Sequence, residues 1–215
     1  MAKVKVVTGY IPIAGHPRSV QEYGELGEKL RELKAPVHPF YGVVTSTWLY
    51  QLIAALLFEP VWSVGDNSQK NTMAYHCVQH EKFNWLYQAA QMDPEPDVFV
   101  WLDYGICHVP GVTPNVINEF LDRIKKNDTA IPGCWPVGQV DDRGPCWRFC
   151  GGVMVVDRRD VQPLKNLIQA IALLHINVTK NVTWEVNTLA RAEQTGKVPI
   201  RWYAADHNEQ LFTRY

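Results

Sequence analysis

The chain has 215 residues, of which 47% are hydrophobic and 20% are charged, a composition typical of a folded globular protein and not of a disordered one. Its 21 lysines and arginines nearly balance 22 acidic residues, and the net charge of −1 argues against a protein that binds nucleic acid through bulk positive charge. This length predicts a single α/β domain over residues 1–215.

Strand-forming and helix-forming segments alternate through the first half of the chain. In order, they are a strand at 3–8, a helix at 20–33, a strand at 37–44, a buried helix at 47–58, a short strand at 61–64, a polar loop at 65–70 and a long helix at 72–92. Ser19 and Glu22 have the spacing of a capping box, which predicts where the first helix begins.

The second half continues this alternation. In order, it predicts a strand at 98–102, a helix at 113–126 capped by Thr113, a strand at 130–135, a mobile loop at 137–148, a strand at 150–157, helices at 161–175 and 183–196, and a strand at 200–204. The uninterrupted apolar run Val98–Leu102 is typical of a central strand buried on both faces. The order of elements predicts a mostly parallel central sheet flanked by helices.

The targeting and cysteine patterns indicate a cytoplasmic protein. The first residues lack the apolar core and cleavage site of a signal peptide, and the longest apolar stretch, Tyr41–Trp62, is interrupted by polar residues. We therefore expect no transmembrane segment. Five cysteines without a Cys-x-x-Cys pair indicate reduced thiols, with a zinc site on Cys134, Cys146 and Cys150 as the alternative.

In open α/β sheets, ligands bind at the carboxyl ends of the strands. Three such ends are predicted here, at residues 8–10, 103–105 and 206–207. Asp103 directly follows the central strand, where its carboxylate could bind a divalent cation or a ribose hydroxyl, or could cap the next turn. His207 could bind a transition metal, or could be an ordinary exposed histidine.

Other residues also have both a functional and a structural interpretation. Glu185 begins a predicted helix, where it could act as a general base or could pair with the helix dipole. The glycine pair 151–152 could let the backbone approach a ligand, or could form a bulge. Arg18, Lys70 and Lys82 are candidates for contacts with a diphosphate, or are solvated surface charges.

Three blocks, in their order along the chain, resemble GT-A glycosyltransferases. They are Val7-Thr-Gly-Tyr10 at the end of the first strand, Phe99-Val-Trp-Leu-Asp-Tyr-Gly-Ile106 after the helix at 75–90, and Phe149-Cys-Gly-Gly-Val-Met-Val-Val-Asp157. The second block resembles the strand that ends in the family's Asp-x-Asp motif, and is also similar to a group of bacterial and viral transferases with Trp-Ile-Asp-x-Gly. The third block is similar to a Phe-Asn-x-Gly-Val-Met segment of family 8 transferases.

This resemblance implies roles for particular residues. Asp103 and His207 would hold Mn²⁺ or Mg²⁺, although Gly105 stands where the family has its second aspartate, and His108 is close enough to be a substitute ligand. Asp103 and Glu185 would be catalytic. The residues implied to contact the donor are Thr8, Gly9, Tyr10, Arg18, Lys82, Trp101, Leu102, Tyr104, Gly151 and Gly152.

The implied reaction moves a sugar from a nucleoside diphosphate sugar, most often UDP-linked, to a glycan or other hydroxyl acceptor. Glu185 would be the base in an inverting enzyme, or would stabilise the oxocarbenium-like state in a retaining one. The loop 137–148, between Trp135 and Trp147, would be a lid and an acceptor wall.

Two alternatives remain open. One is a non-catalytic nucleotide- or carbohydrate-binding module, and the other is a hydrolase or nucleotidyltransferase that uses the same sheet edge. The sequence contains no Walker A, GxGxxG or GxSxG motif, which disfavours P-loop NTPases, dinucleotide enzymes and α/β-hydrolases.

Overall fold

The computed structural model describes residues 2–62, 70–138 and 140–215. Its strands, in chain order, are β1 Val4–Tyr10, β2 Val37–Tyr41, β3 Val61–Trp62, β4 Val98–Leu102, β5 Ala130–Gly133, β6 Val153–Asp157, β7 Asn181–Val182 and β8 Arg201–Ala204. Its α-helices are α1 Val20–Glu28, α2 Trp48–Ala54, α3 Met73–Met92, α4 Pro114–Leu121, α5 Arg158–Thr179, α6 Glu185–Gln194 and α7 Gln210–Thr213.

Six strands form one sheet in the order β2-β1-β4-β6-β5-β8, and β3 pairs with β7 in a small separate sheet. β1 is parallel to both β2 and β4, and β5 is parallel to β8. β6 is the exception, because it runs antiparallel to its neighbours β4 and β5. The predicted α/β fold, with a mostly parallel central sheet flanked by helices, is confirmed.

The central strand β4 is buried on both faces, as its apolar run predicts. Its odd and even positions point to opposite sides of the sheet. Val98, Val100 and Leu102 belong to a core that includes side chains of α4 and α7. Phe99 and Trp101 belong to a second core with side chains of α3, α5 and α6. The sheet is therefore the middle of three layers, and its upper edge is the place where side chains can reach a ligand.

The predicted helix starts are confirmed by their caps. Ser19 and Glu22 form both hydrogen bonds of a capping box at the start of α1. Thr113 caps α4, and Pro114 takes the first helical position. Thr72 caps α3 by accepting a hydrogen bond from the Tyr75 backbone N–H. These local side-chain bonds satisfy amide groups that have no partner inside the helix, so they can be predicted from spacing alone.

Several predicted ends are wrong. The first helix was expected to reach Leu33, but α1 ends at Glu28 and a short 3-10 turn follows it; α4 likewise ends at Leu121, before the predicted 126. The strand predicted at 150–157 begins at Val153, because the two preceding glycines form a turn. Helix ends depend on tertiary contacts, and the sequence pattern continues past them.

The helix predicted to be buried at 47–58 is only partly buried. It is the short α2, in which Leu49 is the one fully buried residue, and Leu57 beyond it is fully exposed. The apolar side chains of α2 pack at the margin of the fold in a small cluster with Cys77, Ile176 and Val182. Residues 63–69 lie outside the described ranges, and with them Val64 of the predicted third strand and most of the loop at 65–70.

The segment at 137–148, which we expected to be mobile, is tied to α6 by hydrogen bonds. The Asn187 side chain accepts from the Cys146 N–H at 2.6 Å and donates to the Gly144 carbonyl at 2.9 Å. Asp142 accepts from Thr183 and from Arg191, both at 2.7 Å. Because Asn187 is fully buried, lid motion of this loop would have to break buried bonds.

None of the described helices has the length and apolar character needed to cross a bilayer.

Candidate functional site

The three predicted strand ends meet at one cleft of about 280 Å³. Residues that follow β1, β4 and β8 line it, together with side chains from one face of α3 and from the start of α6. Five of the lining residues are charged: Arg18, Lys70, Lys82, Asp103 and Glu185. The sheet-edge rule therefore locates the cleft correctly, since the ends of neighbouring parallel strands lie side by side.

Lys82 is the most enclosed charged group in the cleft. Its ammonium lies 3.1 Å from Asp103 Oδ1 and 3.1 Å from Glu185 Oε1, and donates to the Gly151 carbonyl at 3.0 Å. Its side chain is only 3% exposed. Burial alone would lower the pKa of Lys82, but the two carboxylates outweigh it and raise that pKa. All three N–H groups of the ammonium thus have a partner within the protein.

Asp103 has one occupied and one available oxygen. Its Oδ1 faces Lys82 and also accepts a hydrogen bond from Trp101 Nε1 at 2.8 Å. Its Oδ2 has no hydrogen-bond partner in the part of the chain that the structure describes, and lies near Gly152. With its side chain 37% exposed, Asp103 can present this oxygen to a ligand in the cleft.

The glycine pair 151–152 lets the backbone pass against the two carboxylates. A Cβ at Gly151 would lie 2.5 Å from Glu185 Oε1 and 3.3 Å from Lys82 Nζ. A side chain there would displace Glu185 from its ion pair with Lys82. The glycine is therefore required by the buried charge cluster, a reason that is not visible in the sequence because Lys82 and Glu185 are 103 residues apart.

The position of the family's second aspartate is enclosed by α1. A Cβ at Gly105 would lie 2.9 Å from the Tyr23 ring and 3.5 Å from Leu26. Contacts below 3 Å are not seen for real Cβ atoms, so an aspartate here would require Tyr23 to move. The departure from Asp-x-Asp is thus matched by the packing around it.

His207 faces His108 and Trp147 across the cleft, with ring centres 6.3 Å and 6.2 Å away. Burial lowers the pKa of both histidines, so both are neutral near pH 7. His108 Nδ1 is 2.6 Å from the Gly105 carbonyl, to which it donates.

The side chains expected to bind Mn²⁺ or Mg²⁺ do not assemble a metal cage. Among the described residues, no three His, Cys, Asp or Glu side chains come close enough together to hold an ion. Asp103 contributes one uncommitted oxygen, and Gly105 contributes none. The alternative zinc site is also not formed within the described ranges, although the sulfur atoms of Cys134 and Cys150 lie 3.7 Å apart.

Aromatic rings cover one side of the cleft. Tyr10 and Tyr104 stack with ring centres 5.1 Å apart, and Tyr23 lies 5.2 Å from Tyr10. Burial and the neighbouring Tyr41 raise the pKa of Tyr104 to about 12, so its phenol stays protonated. Such a group of rings offers flat apolar faces with hydroxyl donors, which suits a planar base.

Two of the residues implied to contact the donor lie elsewhere. Leu102 is fully buried in the core beneath the sheet edge, and Thr8 is 1% exposed. The Thr8 hydroxyl has no hydrogen-bond partner within the described ranges. Neither residue lines the cleft, whereas the other eight do.

Sequence reasoning missed most of the cleft wall contributed by α3. Tyr75, Gln79, Lys82 and Trp85 all line the cleft. Their spacing of four, three and three residues places them on one helical face. That spacing is visible in the sequence, but apolar residues on the other faces of α3 gave a stronger pattern.

The sequence matches no protein-family profile and no curated protein. Two solved structures are similar in fold. A glycosyltransferase involved in the glycosylation of the major capsid of PBCV-1 superposes with a TM-score of 0.54 at 14% identity, covering 94% of this chain and 81% of that one. Mouse xyloside xylosyltransferase 1 gives a TM-score of 0.45 at 11% identity, covering 94% and 84%. At this identity the first likeness establishes the fold alone: the chain shares the fold of that capsid-glycosylating glycosyltransferase.

Proposed function

We propose that the chain is a glycosyltransferase that moves a sugar from a nucleoside diphosphate sugar to a hydroxyl acceptor, with UDP as the first nucleotide to test. The observation that carries this proposal is the joining of Lys82, Asp103 and Glu185 around the Gly151 carbonyl, at the sheet edge of a glycosyltransferase fold. A buried charge cluster that opens into a cleft and leaves carboxylate oxygens available to a ligand is typical of a catalytic site.

Each side of the cleft suits one part of such a donor. The stacked rings of Tyr10 and Tyr104 suit the base, and the free Oδ2 of Asp103 suits a ribose hydroxyl. The exposed backbone of Gly152 and the carboxylate of Glu185 suit the sugar, since both lie beside the enclosed charge cluster. The acceptor would enter past Trp147 and His207.

Glu185 is the proposed catalytic carboxylate. Its Oε1 is held by Lys82, and its Oε2 has no hydrogen-bond partner among the residues that the structure describes. In an inverting reaction, Oε2 would take the proton of the acceptor hydroxyl as its oxygen bonds to the sugar. In a retaining reaction, the same carboxylate would stabilise positive charge on the sugar ring. The anomeric configuration of the product, read by NMR, distinguishes the two.

The test is a thermal-shift titration with UDP, followed by an assay of UDP release from UDP-sugars. At a hundredfold excess over Kd, ligand binding stabilises the fold by about 2.7 kcal/mol. For a domain of this size, that raises Tm by roughly 5–10 °C. Asp103→Asn should lose most of this shift. The matched control is Asp122→Asn, because Asp122 is 60% exposed and lies outside the cleft.

Each outcome decides between functions. A UDP shift with sugar transfer to an acceptor supports the proposal. UDP binding with no turnover of any donor selects a binding module, and release of free sugar or pyrophosphate selects a hydrolase or nucleotidyltransferase. Absence of any nucleoside diphosphate shift would refute the proposed site. The cytoplasmic location stays a prediction, which fractionation of the source cells would check.

A further inference from the structure

Among the described residues that line the cleft, positive side chains outnumber negative ones. Its three cations are Arg18, Lys70 and Lys82, and its two carboxylates are Asp103 and Glu185. Lys82 is committed to both carboxylates at 3.1 Å. Arg18 and Lys70 form no ion pair with any carboxylate in the described ranges. The net charge that the cleft offers to a ligand therefore comes from these two side chains.

Arg18 and Lys70 lie on the same rim. The Lys70 ammonium is 5.9 Å from the centre of the Tyr75 ring, against which His16 stacks with ring centres 6.2 Å apart. The Arg18 backbone N–H donates a hydrogen bond to His16 Nδ1 at 3.2 Å. Burial, together with the positive charges of Lys70 and Arg18, lowers the pKa of His16, so both cations act on the same neutral imidazole.

The described carboxylates that line the cleft do not form a cation site. Asp103 Oδ1 already accepts from Trp101 and faces Lys82. The backbone at Gly105, where a second carboxylate would stand, is covered by the Tyr23 ring. Divalent cations in such sites are held by carboxylates together with substrate phosphates. Here the ammonium of Lys82 occupies the space between the two carboxylates that the cleft has.

We propose that Arg18 and Lys70, and not a divalent cation, neutralise the diphosphate of the donor, an inference that rests on the proposed function. As the bond between the sugar carbon and the diphosphate oxygen breaks, its electron pair stays on that oxygen. The two cations stabilise this charge through hydrogen bonds to phosphate oxygens. The acceptor oxygen bonds to the sugar carbon, and its proton leaves to the carboxylate base or to water.

The experiment measures UDP affinity by calorimetry, once in EDTA and once in Mn²⁺. We expect the two dissociation constants to agree within about twofold. Arg18→Met and Lys70→Met should each weaken UDP binding by tenfold or more in EDTA, because a charge-assisted phosphate contact is lost. Lys34→Met is the matched control, since Lys34 is 73% exposed and outside the cleft. Arg18 and Lys70 are only partly buried and pair with no described carboxylate, so their variants should keep a Tm close to that of the wild type.

The results separate this inference from the proposed function. UDP that binds only with Mn²⁺ overturns the inference and leaves the transferase proposal intact. The same holds if the two variants bind UDP as tightly as Lys34→Met does. If neither UDP nor another nucleoside diphosphate binds in either buffer, the proposed function fails and the inference with it. A second readout is salt, because binding through Arg18 and Lys70 should weaken as NaCl rises.

Discussion

Replacing Lys82 by methionine tests whether the charge cluster is an essential part of the fold. The substitution keeps the length of the side chain and removes the ammonium, so Glu185 is left as a buried carboxylate without its partner. Removing one member of a buried ion pair costs about 3–5 kcal/mol. Water can solvate the Asp103 carboxylate, whose side chain is 37% exposed, but not the Glu185 carboxylate, whose side chain is 7% exposed. We therefore expect a loss at the lower end, about 3 kcal/mol.

Urea unfolding and thermal melts at pH 7 measure this loss. For a chain of this size, about 3 kcal/mol corresponds to a Tm that is roughly 6–12 °C lower. Lys34→Met is the control, because Lys34 and its partner Asp122 are both largely exposed and their pair should contribute little. The double variant Lys82→Met with Glu185→Gln should regain part of the stability, since it removes the unpaired charge.

The pH dependence separates charge from packing. In the Lys82→Met variant, the carboxylates of Asp103 and Glu185 have lost their cation. Protonation of these carboxylates therefore stabilises the folded variant. Its deficit relative to the wild type should therefore shrink as the pH falls toward about 4, near the ordinary pKa of a glutamate. In the wild type, the pKa of Lys82 is raised on folding, so its contribution to stability has the opposite pH dependence. This contribution is complete below pH 10.5 and is lost as the pH rises through the folded-state pKa. A Tm equal to that of Lys34→Met, or no recovery in the double variant, would refute the reasoning.

Two further predictions follow from enclosed residues. Gly151→Ala should lower stability by about 1–3 kcal/mol, because the added Cβ displaces Glu185. The control is Gly24→Ala, whose Cβ meets no atom within 4 Å and which should stabilise its helix slightly in the same melts. Burial lowers the pKa of His76 from 6.5 to about 3, so only the unfolded chain takes up this proton as the pH falls below 6.5. The titration of His76 should lower the free energy of unfolding by about 2 kcal/mol between pH 7 and pH 5. The fall should be smaller in His76→Gln, and equal falls for the two proteins in urea titrations would contradict this.

The place of the sheet edge that lines the cleft could be predicted from short segments of sequence. Five consecutive apolar residues, Val98–Leu102, can only be buried on both faces, so the chain after them must emerge at the sheet edge. Asp103 follows them directly and lines the cleft. The capping residues Ser19 and Thr113 were equally visible, because each satisfies an amide two or three residues away.

Burial and long-range pairing could not be predicted in this way. The apolar segment that forms α2 is only partly buried, because it packs in a small cluster at the margin of the fold, and the sequence around Lys82 does not indicate that Lys82 is buried. The partner of Lys82 lies 103 residues later in the chain, and the Tyr23 ring that closes the space above Gly105 comes from another element.

Strands, caps and the sheet edge were determined by the sequence itself, because they depend on residues within a few positions of one another. The charge cluster and the covered Gly105 were decided by the tertiary structure alone. The physical reason is that the free energy of a buried charge depends on which distant groups surround it, and those neighbours exist only once α3, α6 and the sheet have packed together.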